Sequence, residues 1–559
     1  MALKLDQQIC REIGQHFVFG FHGYDVSEDV ERLIREYYVG NIILMKRNVQ
    51  SFEQVRSLTL KLQQIAKDAG HERPLMIGTD QENGLVSAFS KPEAGTQFPG
   101  AMTIAATASS ELAEQVAFAS GRELRLAGIN WTYAPVCDVN SEARNPVIGV
   151  RSFGDDPKEV AKYAGAVSRG FTKARVASSL KHFPGHGDTH VDSHLALPVI
   201  SKSLESLSAT ELVPFTSLIP DVASIMTGHM ALPQLTGTAT PASLSRSITT
   251  DLLRSNLGYS GVIVTDCLEM AAVAAEYGID NGAVMALEAG ADVVMICHTL
   301  ERQVGAVEKT YEAVREGRLS VEELKRGGER VRRMKERFAG SWEEVLGSAE
   351  VLDSAKEEWR KLNTENTELS QLSHRAYRAS TAALSEAPGV LPFKHEELVY
   401  VFTPQAESIN LAVDDADGVL RDGSGRVRNT AGPSYLAFAQ AVSSRAKADH
   451  VVYAVSGELP EKLGEAKAVI FATRNANTSR WQLEYLKRLR EKVVSVPMVV
   501  VSTCGPYDVM GARQEGVDLR DVPVLATFEF TVPALLAAVE VIFGERQTTG
   551  RCPVVLGIE

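Results

Sequence analysis

Short apolar runs alternate with amphipathic segments through the first three hundred residues of the chain. Eight of these runs have the length and the β-branched or aromatic content typical of buried strands. They are HFVFGF (16–21), GNIILM (40–45), LMIGTD (75–80), INWTYAPV (129–136), ASSLKHF (177–183), ASIMTGH (223–229), GVIVTD (261–266) and ADVVMI (291–296). Segments between them, such as residues 111–128, place apolar side chains at helical spacing. This alternation predicts a (β/α)8 TIM-type barrel; a doubly wound open sheet is the alternative, but eight consecutive units favour closure.

A second α/β unit is expected after the barrel. Residues 321–384 are charged and helix-like and carry no strand signal, which indicates the last barrel helix followed by a helical linker. Strand-like runs then return at 397–404, 449–456, 467–473, 496–503 and 522–530, ahead of an apolar helix at 532–544. We therefore predict a barrel over 1–340, a helical linker over 341–390 and a smaller α/β sandwich domain with a mostly parallel sheet over 391–559.

Charge and composition exclude several classes of function. The formal net charge of the 559 residues is −13, so the chain lacks the basic field that binding to nucleic acid requires. The first fifteen residues carry scattered charges instead of the apolar core of a signal peptide, and no apolar run is long enough for a bilayer. The six cysteines lie far apart without a CxxC pair, which predicts reduced thiols, with neither a disulfide framework nor a zinc site. We expect a cytoplasmic protein.

Polar residues stand where several predicted strands end. Asp80 ends the third strand, Lys181 and His182 end the fifth, His229 ends the sixth and Asp266 ends the seventh. In a barrel of this type the carboxyl ends of the strands form the active-site face. Any one of these residues alone is explained as a helix cap, but several on one face predict a functional site.

The stretch KHFPGHGDTHVDSH (181–194) has a histidine at every fourth position. On a helix this spacing would suggest a metal site, as in HExxH zinc enzymes. Pro184, Gly185 and Gly187 argue against a continuous helix, so the period of four loses its geometric meaning. For His186 and His190 a structural role in a polar loop is the better interpretation.

Asp192 and His194 form a different kind of pair within the same stretch. A carboxylate two residues from an imidazole can raise its pKa and fix its tautomer, so that it donates and later accepts a proton near neutral pH. Asp266 is the candidate nucleophile, and the alternative is an aspartate that caps the following segment LEMAAVAAEY. Cys267 beside it is interpreted as a packing residue. A carboxylate nucleophile with a separate proton donor is the equipment of a retaining glycosidase.

On these residues the sequence resembles glycoside hydrolase family 3, in its β-N-acetylglucosaminidase branch. The resemblance covers nearly the whole chain, and the Asp-x-His pair marks the branch against the β-glucosidases of the family. The matching segments are GTDQENG (78–84), GINWTYAPVCDVN (128–140), NPVIGVRSFGDDP (145–157), KHFPGHGDTHVDSHLALP (181–198), GVIVTDCLEM (261–270) and, in the second domain, GRCPV (550–554).

The resemblance implies an exo-acting enzyme that releases terminal GlcNAc from β-linked oligosaccharides or glycosides with net retention. Asp266 matches the nucleophile, and His194, paired with Asp192, matches the acid/base on a mobile loop after strand five. The residues that match those gripping the sugar hydroxyls are Asp80, Arg151, Lys181 and His182. No metal or organic cofactor is implied.

One segment departs from the family pattern. The family usually has DQEGGRVxR after strand three, whereas this sequence has DQENGLVSAF, with Asn83, Leu85 and Ala88. The change removes two positive charges from the sugar-binding rim, which predicts an altered substrate preference or contacts supplied from elsewhere.

Several alternatives stay open at this point. Phosphorolysis of the same glycosides, a β-glucosidase of the same family, a non-catalytic sugar-binding protein and a metal-dependent barrel hydrolase all use parts of the same pattern. The natural substrate is also open among chitooligosaccharides, peptidoglycan fragments and small glycosides, and so is the oligomeric state. No nucleic-acid or membrane partner is expected.

Overall fold

A closed barrel of eight parallel strands forms the N-terminal part of the protein. The computed structural model describes residues 5–189, 196–347, 349–363 (backbone only for 349–353), 367–405 and 431–557. The strands of the barrel region are β1 (Phe17–Phe19), β2 (Asn41–Ile43), β3 (Met76–Thr79), β4 (Gln81–Asn83), β5 (Val86–Ser87), β6 (Trp131–Thr132), β7 (Ala177–Phe183), β8 (Ser224–Thr227), β9 (Val262–Cys267) and β10 (Val293–Ile296). The hairpin β4–β5 stands apart from the barrel, whose order is β1-β2-β3-β6-β7-β8-β9-β10. Each of the eight predicted runs contains one barrel strand, so the predicted closure is confirmed.

Helices follow most of the barrel strands. They are α1 (Gln7–Gln15), α2 (Glu28–Glu36), α3 (Phe52–Asp68), α4 (Ala101–Ala106), α5 (Ser110–Leu126), α6 (Pro157–Lys173), α7 (Leu204–Ala209), α8 (Leu212–Leu218), α9 (Pro233–Thr236), α10 (Ala271–Ala274), α11 (Ile279–Ala289), α12 (Leu300–Arg315) and α13 (Val321–Phe338). A helix with π-type hydrogen bonds, Ser247–Asn256, precedes β9. The helix α6 begins where Asp156 accepts hydrogen bonds from the N–H groups of Lys158 and Glu159, ahead of a proline that suits the first turn.

Alternation along the strands divides the barrel core into two parts. Side chains of one set pack together as a cluster that includes Val18, Ile43, Met76, Trp131, Met226, Val264 and Val293. Their neighbours along the strands belong instead to the core shared with the helices, and these include Phe17, Ile42, Ile77, Ile225, Ile263 and Val294. Large side chains therefore fill the barrel interior, and polar groups are accommodated at its carboxyl end.

A second sheet of six strands follows the barrel. Its elements are α14 (Trp342–Leu346), α15 (Ala349–Asn363), α16 (Glu368–Ser380), β11 (Ala382–Ser385), β12 (Leu398–Pro404), α17 (Gly432–Ser443), β13 (Lys447–Tyr453), β14 (Ala468–Thr473), α18 (Trp481–Lys492), β15 (Met498–Ser502), α19 (Asp508–Gln514), β16 (Val524–Ala526) and α20 (Val532–Ile542). The strand order is β11-β16-β15-β14-β12-β13, and only β11 runs antiparallel among these pairs. Helices α17 and α20 cover one face and α18 and α19 the other. The second α/β unit with a mostly parallel sheet is confirmed.

The expectation of a linker without strands is wrong at its end. Residues Ala382–Ser385 pair with β16, so this part of the 341–390 segment belongs to the second sheet. The strand was not predicted because the sequence TAALS is rich in helix formers and follows a charged helix. Its partner β16 lies about 140 residues further along the chain. The boundaries at 340 and 390 otherwise stay a prediction.

Glu529 joins the second unit to the barrel. Its Oε2 accepts hydrogen bonds from Gly100 N and Thr103 Oγ1, both at 2.8 Å, and its Oε1 accepts one from Tyr377 OH at 2.8 Å. Burial raises the pKa of Glu529 above its ordinary value. An apolar cluster that includes Met102 and Phe528 packs beside it, so the end of β16 lies against the barrel rim. Within the described parts of the chain, none of the helices combines the length and apolar character that crossing a bilayer needs.

Candidate active site

Lys181 brings two carboxylates together at the carboxyl end of the barrel. It lies in β7, and its Nζ donates a hydrogen bond of 2.7 Å to Asp80 Oδ1, just after β3. The same Nζ lies 2.6 Å from Glu82 Oε1 in the β4–β5 hairpin. Burial opposes the charge of Lys181, but Asp80 and Glu82 outweigh it and raise its pKa. Asp80 keeps 35% of its side-chain surface exposed, so it faces the open side of this group.

Arg151 holds the other side of Glu82. Its Nε and Nη2 donate to the two oxygens of Glu82 at 2.9 and 2.8 Å, a two-bonded arrangement suited to guanidinium and carboxylate. Both side chains are buried, at 7% and 5% exposure. Burial raises the pKa of Glu82, but Arg151 and Lys181 outweigh it and lower the value to about 2. Glu82 is therefore an anion that fixes two cations at the rim of the barrel.

Asp138 orients His182 through a hydrogen bond to its ring. This fully buried carboxylate accepts hydrogen bonds from His182 Nδ1 at 2.7 Å, His182 N at 3.1 Å and His186 N at 2.7 Å. Burial opposes the charge of Asp138, but His182 outweighs it and lowers the carboxyl pKa. Because Nδ1 donates to Asp138, the lone pair of His182 lies on Nε2, where Arg151 Nη2 donates at 3.5 Å. The ring is thus fixed in one tautomer and one orientation.

His186 stabilises the loop that follows β7. Its Nδ1 lies 2.9 Å from Thr189 Oγ1, and burial lowers its pKa to about 4. Asn145 Nδ2 donates to the carbonyls of His186 and Gly187 at 2.8 and 3.0 Å. A Cβ on Gly187 would meet Val139 O at 1.6 Å, so this glycine serves a close approach of two backbones. Residues 184–189 are not helical, as Pro184 and the glycines predicted.

His229 supports the end of β9. Its Nε2 and the carbonyl of Cys267 are 3.0 Å apart, and its Nδ1 is 2.7 Å from Ser243 Oγ. A ring that donates from Nε2 accepts the Ser243 hydroxyl at Nδ1. The side chain is fully buried. His229 therefore positions the chain at the residue after Asp266, a structural contact at the active-site face.

Asp266 stands in β9 at the same end of the barrel. It is partly exposed, and its Oδ1 accepts a hydrogen bond of 2.7 Å from the N–H of Cys267. The residue does not cap a helix: α10 begins after Met270, and the predicted ten-residue helix is reduced to Ala271–Ala274. The alternative that Asp266 caps a helix is therefore wrong. Helix capping does not explain its carboxylate at the mouth of the barrel.

The predicted proton donor lies outside the described residues. Asp192 and His194, together with His190, fall within the segment 190–195, so their pairing and roles stay a prediction. Of the other predicted site residues, the structure brings Asp80, Lys181, Arg151 and His182 into the one hydrogen-bonded group described above.

Two acidic residues of this group were not predicted from the sequence. Glu82 stands two residues after Asp80 in GTDQENG, and Asp138 lies in the segment APVCDVN. An acid close to a strand end was the available signal for both. Their partners Arg151 and His182 lie 69 and 44 residues further along the chain, so the pairing itself required the fold.

Of the three residues that depart from the family pattern, Asn83 and Ala88 are buried and Leu85 borders a cavity. Asn83 is buried, and its Oδ1 accepts from Gln81 Nε2 at 3.0 Å and Ser120 Oγ at 3.1 Å. Ala88 is 5% exposed. Leu85 borders a small cavity that is also lined by Arg151 and, from the second unit, Phe528 and Glu529. The second unit thus reaches the part of the rim where the two arginines are missing.

The histidine stretch does not supply a metal site within the described residues. There, the group of His, Cys, Asp and Glu side chains close enough to hold an ion consists of Cys267, Cys297 and His298. It lies beside Asp266, on β9 and at the end of β10.

Comparison with known proteins agrees with this fold. The family model described as "Glycosyl hydrolase family 3 N terminal domain" matches residues 6–334, which is more than half of the chain. The chain belongs to glycosyl hydrolase family 3. The resemblance inferred from the sequence motifs is thereby confirmed.

Among individual relatives, two solved structures extend the similarity to the second unit. Beta-hexosaminidase A of Pseudoalteromonas piscicida is 40% identical over 283 residues, 48% of this chain and 47% of that protein. A family 3 beta-N-acetylglucosaminidase structure from Paenibacillus sp. str. FPU-7 has a TM-score of 0.84 at 33% identity and covers 99% of both chains. A fungal multi-domain GH3 beta-N-acetylglucosaminidase has a TM-score of 0.85 at 37% identity, over 98% of this chain and 60% of that one. The chain thus spans about half the length of the Pseudoalteromonas protein and 60% of the fungal one.

Proposed function

We propose that this protein is a retaining, exo-acting β-N-acetylglucosaminidase that releases terminal GlcNAc from β-linked oligosaccharides or glycosides. The observation that carries the proposal is a hydrogen-bonded group at the barrel end where Asp266 stands. It consists of the partly exposed Asp80 and the buried Lys181, Glu82, Arg151 and His182. Such a group presents fixed donors and acceptors to several hydroxyls of one sugar ring. The beta-N-acetylglucosaminidase named among the similar structures covers the whole chain, which supports the acetamido sugar as substrate.

In the proposed first step, a carboxylate oxygen of Asp266 attacks the anomeric carbon. The bond to the leaving oxygen breaks as protonated His194 donates its proton to that oxygen, which gives a glycosyl–aspartate ester. In the second step neutral His194 removes a proton from water, and the water oxygen displaces Asp266 with net retention. Asp192 would stabilise the imidazolium that His194 becomes.

The surrounding residues would act by orientation. Asp80 is exposed enough to accept hydrogen bonds from sugar hydroxyls, while Lys181 and His182 are held from behind by Glu82 and Asp138. Fixed groups of this kind supply part of the rate by holding the reacting atoms in line. Phe528 and Glu529 border the rim beside Leu85, which supports the idea that the second unit replaces contacts of the missing arginines.

The test is steady-state hydrolysis of 4-nitrophenyl N-acetyl-β-glucosaminide by the full chain. We expect activity on this sugar, a much weaker response to the matching β-glucoside, and loss of activity in Asp266→Ala and His194→Ala. The exposed residues Asp251 and His374 provide matched controls, as Asp251→Ala and His374→Ala. Preference for the glucoside would contradict the proposed substrate. Formation of GlcNAc 1-phosphate in added phosphate would identify a phosphorylase, and no turnover of any glycoside would favour a sugar-binding protein.

The cytoplasmic location and the absence of nucleic-acid and membrane partners stay predictions.

A further inference from the structure

Two thiols and an imidazole meet beside Asp266. Cys267 ends β9, and Cys297 and His298 follow β10, the neighbouring parallel strand, on which Met295 is the partner of Cys267. The two sulfur atoms and a ring nitrogen of His298 all lie within 4.8 Å of one another. Both thiols are buried, whereas His298 is exposed. The cluster therefore has an inner side made of sulfur and an outer side open to solvent.

Glu269 holds the backbone of this cluster in place. Its Oε2 accepts hydrogen bonds from Cys297 N at 2.9 Å and His298 N at 2.6 Å, and lies 3.8 Å from Cys267 Sγ. The side chain is 5% exposed, and its Oε1 has no hydrogen-bond partner within the described residues, with Arg302 Nη1 3.8 Å away. This buried carboxylate fixes the backbone of Cys297 and His298, which limits the positions that their side chains can take.

The chemistry of this set favours a thiophilic cation. Thiolate and imidazole are the ligands that Zn²⁺ prefers, and tetrahedral bonding to two sulfurs sets them ~3.8 Å apart, since each Zn–S bond is about 2.3 Å. Atoms already within 4.8 Å reach that geometry through small side-chain movements.

We propose that Cys267, Cys297 and His298 bind a thiophilic divalent cation such as Zn²⁺, and that its binding inhibits the reaction at Asp266. The second half rests on the proposed function. On binding, the Cys267 and Cys297 thiols each release a proton to solvent and bind as thiolates, and neither sulfur changes oxidation state. This site departs from the sequence-based expectation that the cysteines form no zinc site.

Inhibition follows from the contact between the cluster and the nucleophile. The N–H of Cys267 donates to Asp266 Oδ1 at 2.7 Å, so a ligand bond at Cys267 Sγ acts one residue from the attacking carboxylate. A cation there stabilises the negative charge of Asp266, which weakens it as a nucleophile, and pulls on the turn that orients it. The effect should appear mainly in kcat.

The first test detects the metal without substrate. The reduced full chain is titrated with Co²⁺, and thiolate-to-cobalt charge-transfer absorption is recorded in the near ultraviolet. We expect one equivalent to saturate the signal and Zn²⁺ to displace it. Cys297→Ser and His298→Ala should each weaken binding at least tenfold, whereas Cys504→Ser, which removes a buried thiol of the second unit, should bind as the wild type does. Equal binding by wild type, Cys297→Ser and His298→Ala would overturn the site.

The second test measures activity with added Zn²⁺. We expect at least a tenfold loss of kcat that a chelator reverses, and resistance of Cys297→Ser at the same Zn²⁺ concentration. Loss of activity that a thiol reductant reverses but a chelator does not would overturn metal binding in favour of a disulfide. If the metal binds without any change of kcat, the regulatory half is overturned. If the metal-free protein lacks glycosidase activity, the proposed function fails, while the absorption titration still decides the site.

Discussion

Arg151 donates two hydrogen bonds, at 2.9 and 2.8 Å, to the carboxylate of Glu82, which also lies 2.6 Å from Lys181 Nζ. One buried anion thus organises the two cations that we propose as sugar-binding residues. Neither cation needs to be held by substrate, so the rim is already formed in the free protein. Preorganisation of this kind lowers the cost of orienting the sugar.

We expect Glu82→Gln to destabilise the barrel and to reduce kcat/KM. The substitution keeps the shape of the side chain but leaves Arg151 buried without its anion and Lys181 with Asp80 alone. Loss of one partner of a buried ion pair costs about 3–5 kcal/mol in the free energy of unfolding. Urea unfolding followed by tryptophan fluorescence measures the loss. The exposed pair of Glu159 and Lys162 supplies the control, because Glu159→Gln should change the free energy by less than ~0.5 kcal/mol. Equal stability of the two variants would contradict the role given to Glu82.

Asp138→Asn tests the orientation of His182. The amide replaces a charged acceptor of the His182 Nδ1 hydrogen bond, and hydrogen bonds to charged groups contribute about 1.5–3 kcal/mol. We expect kcat/KM to fall roughly 10- to 100-fold on this basis. In a His182→Ala background the same substitution should have little further effect on kcat/KM, since the two act as a unit. Additive losses would show that Asp138 acts independently of His182.

His186 gives a pH-dependent prediction. Its pKa is lowered from 6.5 to about 4 by burial, so between these values the unfolded chain binds a proton that the folded chain does not. Folding stability is therefore lost as the pH falls from 6.5 to 4. The difference in free energy of unfolding between His186→Asn and wild type should shift in favour of the variant as the pH falls from 6.5 to 4. Above pH 7 this difference should not change with pH. The exposed His374→Asn should follow the wild type. A flat difference for His186→Asn would contradict a buried neutral imidazole.

The barrel was predictable because its strands are short apolar runs separated by helices. Hence all eight runs, from 16–21 to 291–296, contain a barrel strand. The strand Ala382–Ser385 was not predicted because its residues favour helix and its partner β16 lies far along the chain. The hairpin Gln81–Asn83 with Val86–Ser87 escaped because it is short and polar.

The part of the candidate site that was predictable consists of residues whose position at a strand end is visible in the sequence. Asp80, Lys181 and Asp266 stand at strand ends, and the rule for barrels places them on one face. Glu82 and Asp138 were missed because their importance lies in partners from other strands. For the same reason Cys267 and Cys297, 30 residues apart, gave no metal-site spacing in the sequence and meet only because β9 and β10 are neighbours.

The measurement that tests the central claim most directly is azide rescue of Asp266→Ala. With 4-nitrophenyl N-acetyl-β-glucosaminide we expect activity to fall on the order of 10⁴-fold, as it does when a catalytic group of an enzyme is removed. Azide should fill the space of the missing carboxylate, restore release of nitrophenol and give the α-glycosyl azide, identified by NMR. Undiminished activity of Asp266→Ala would contradict the assignment of Asp266 as the nucleophile. So would formation of the β-azide, which would mean that the acetamido group of the substrate attacks instead.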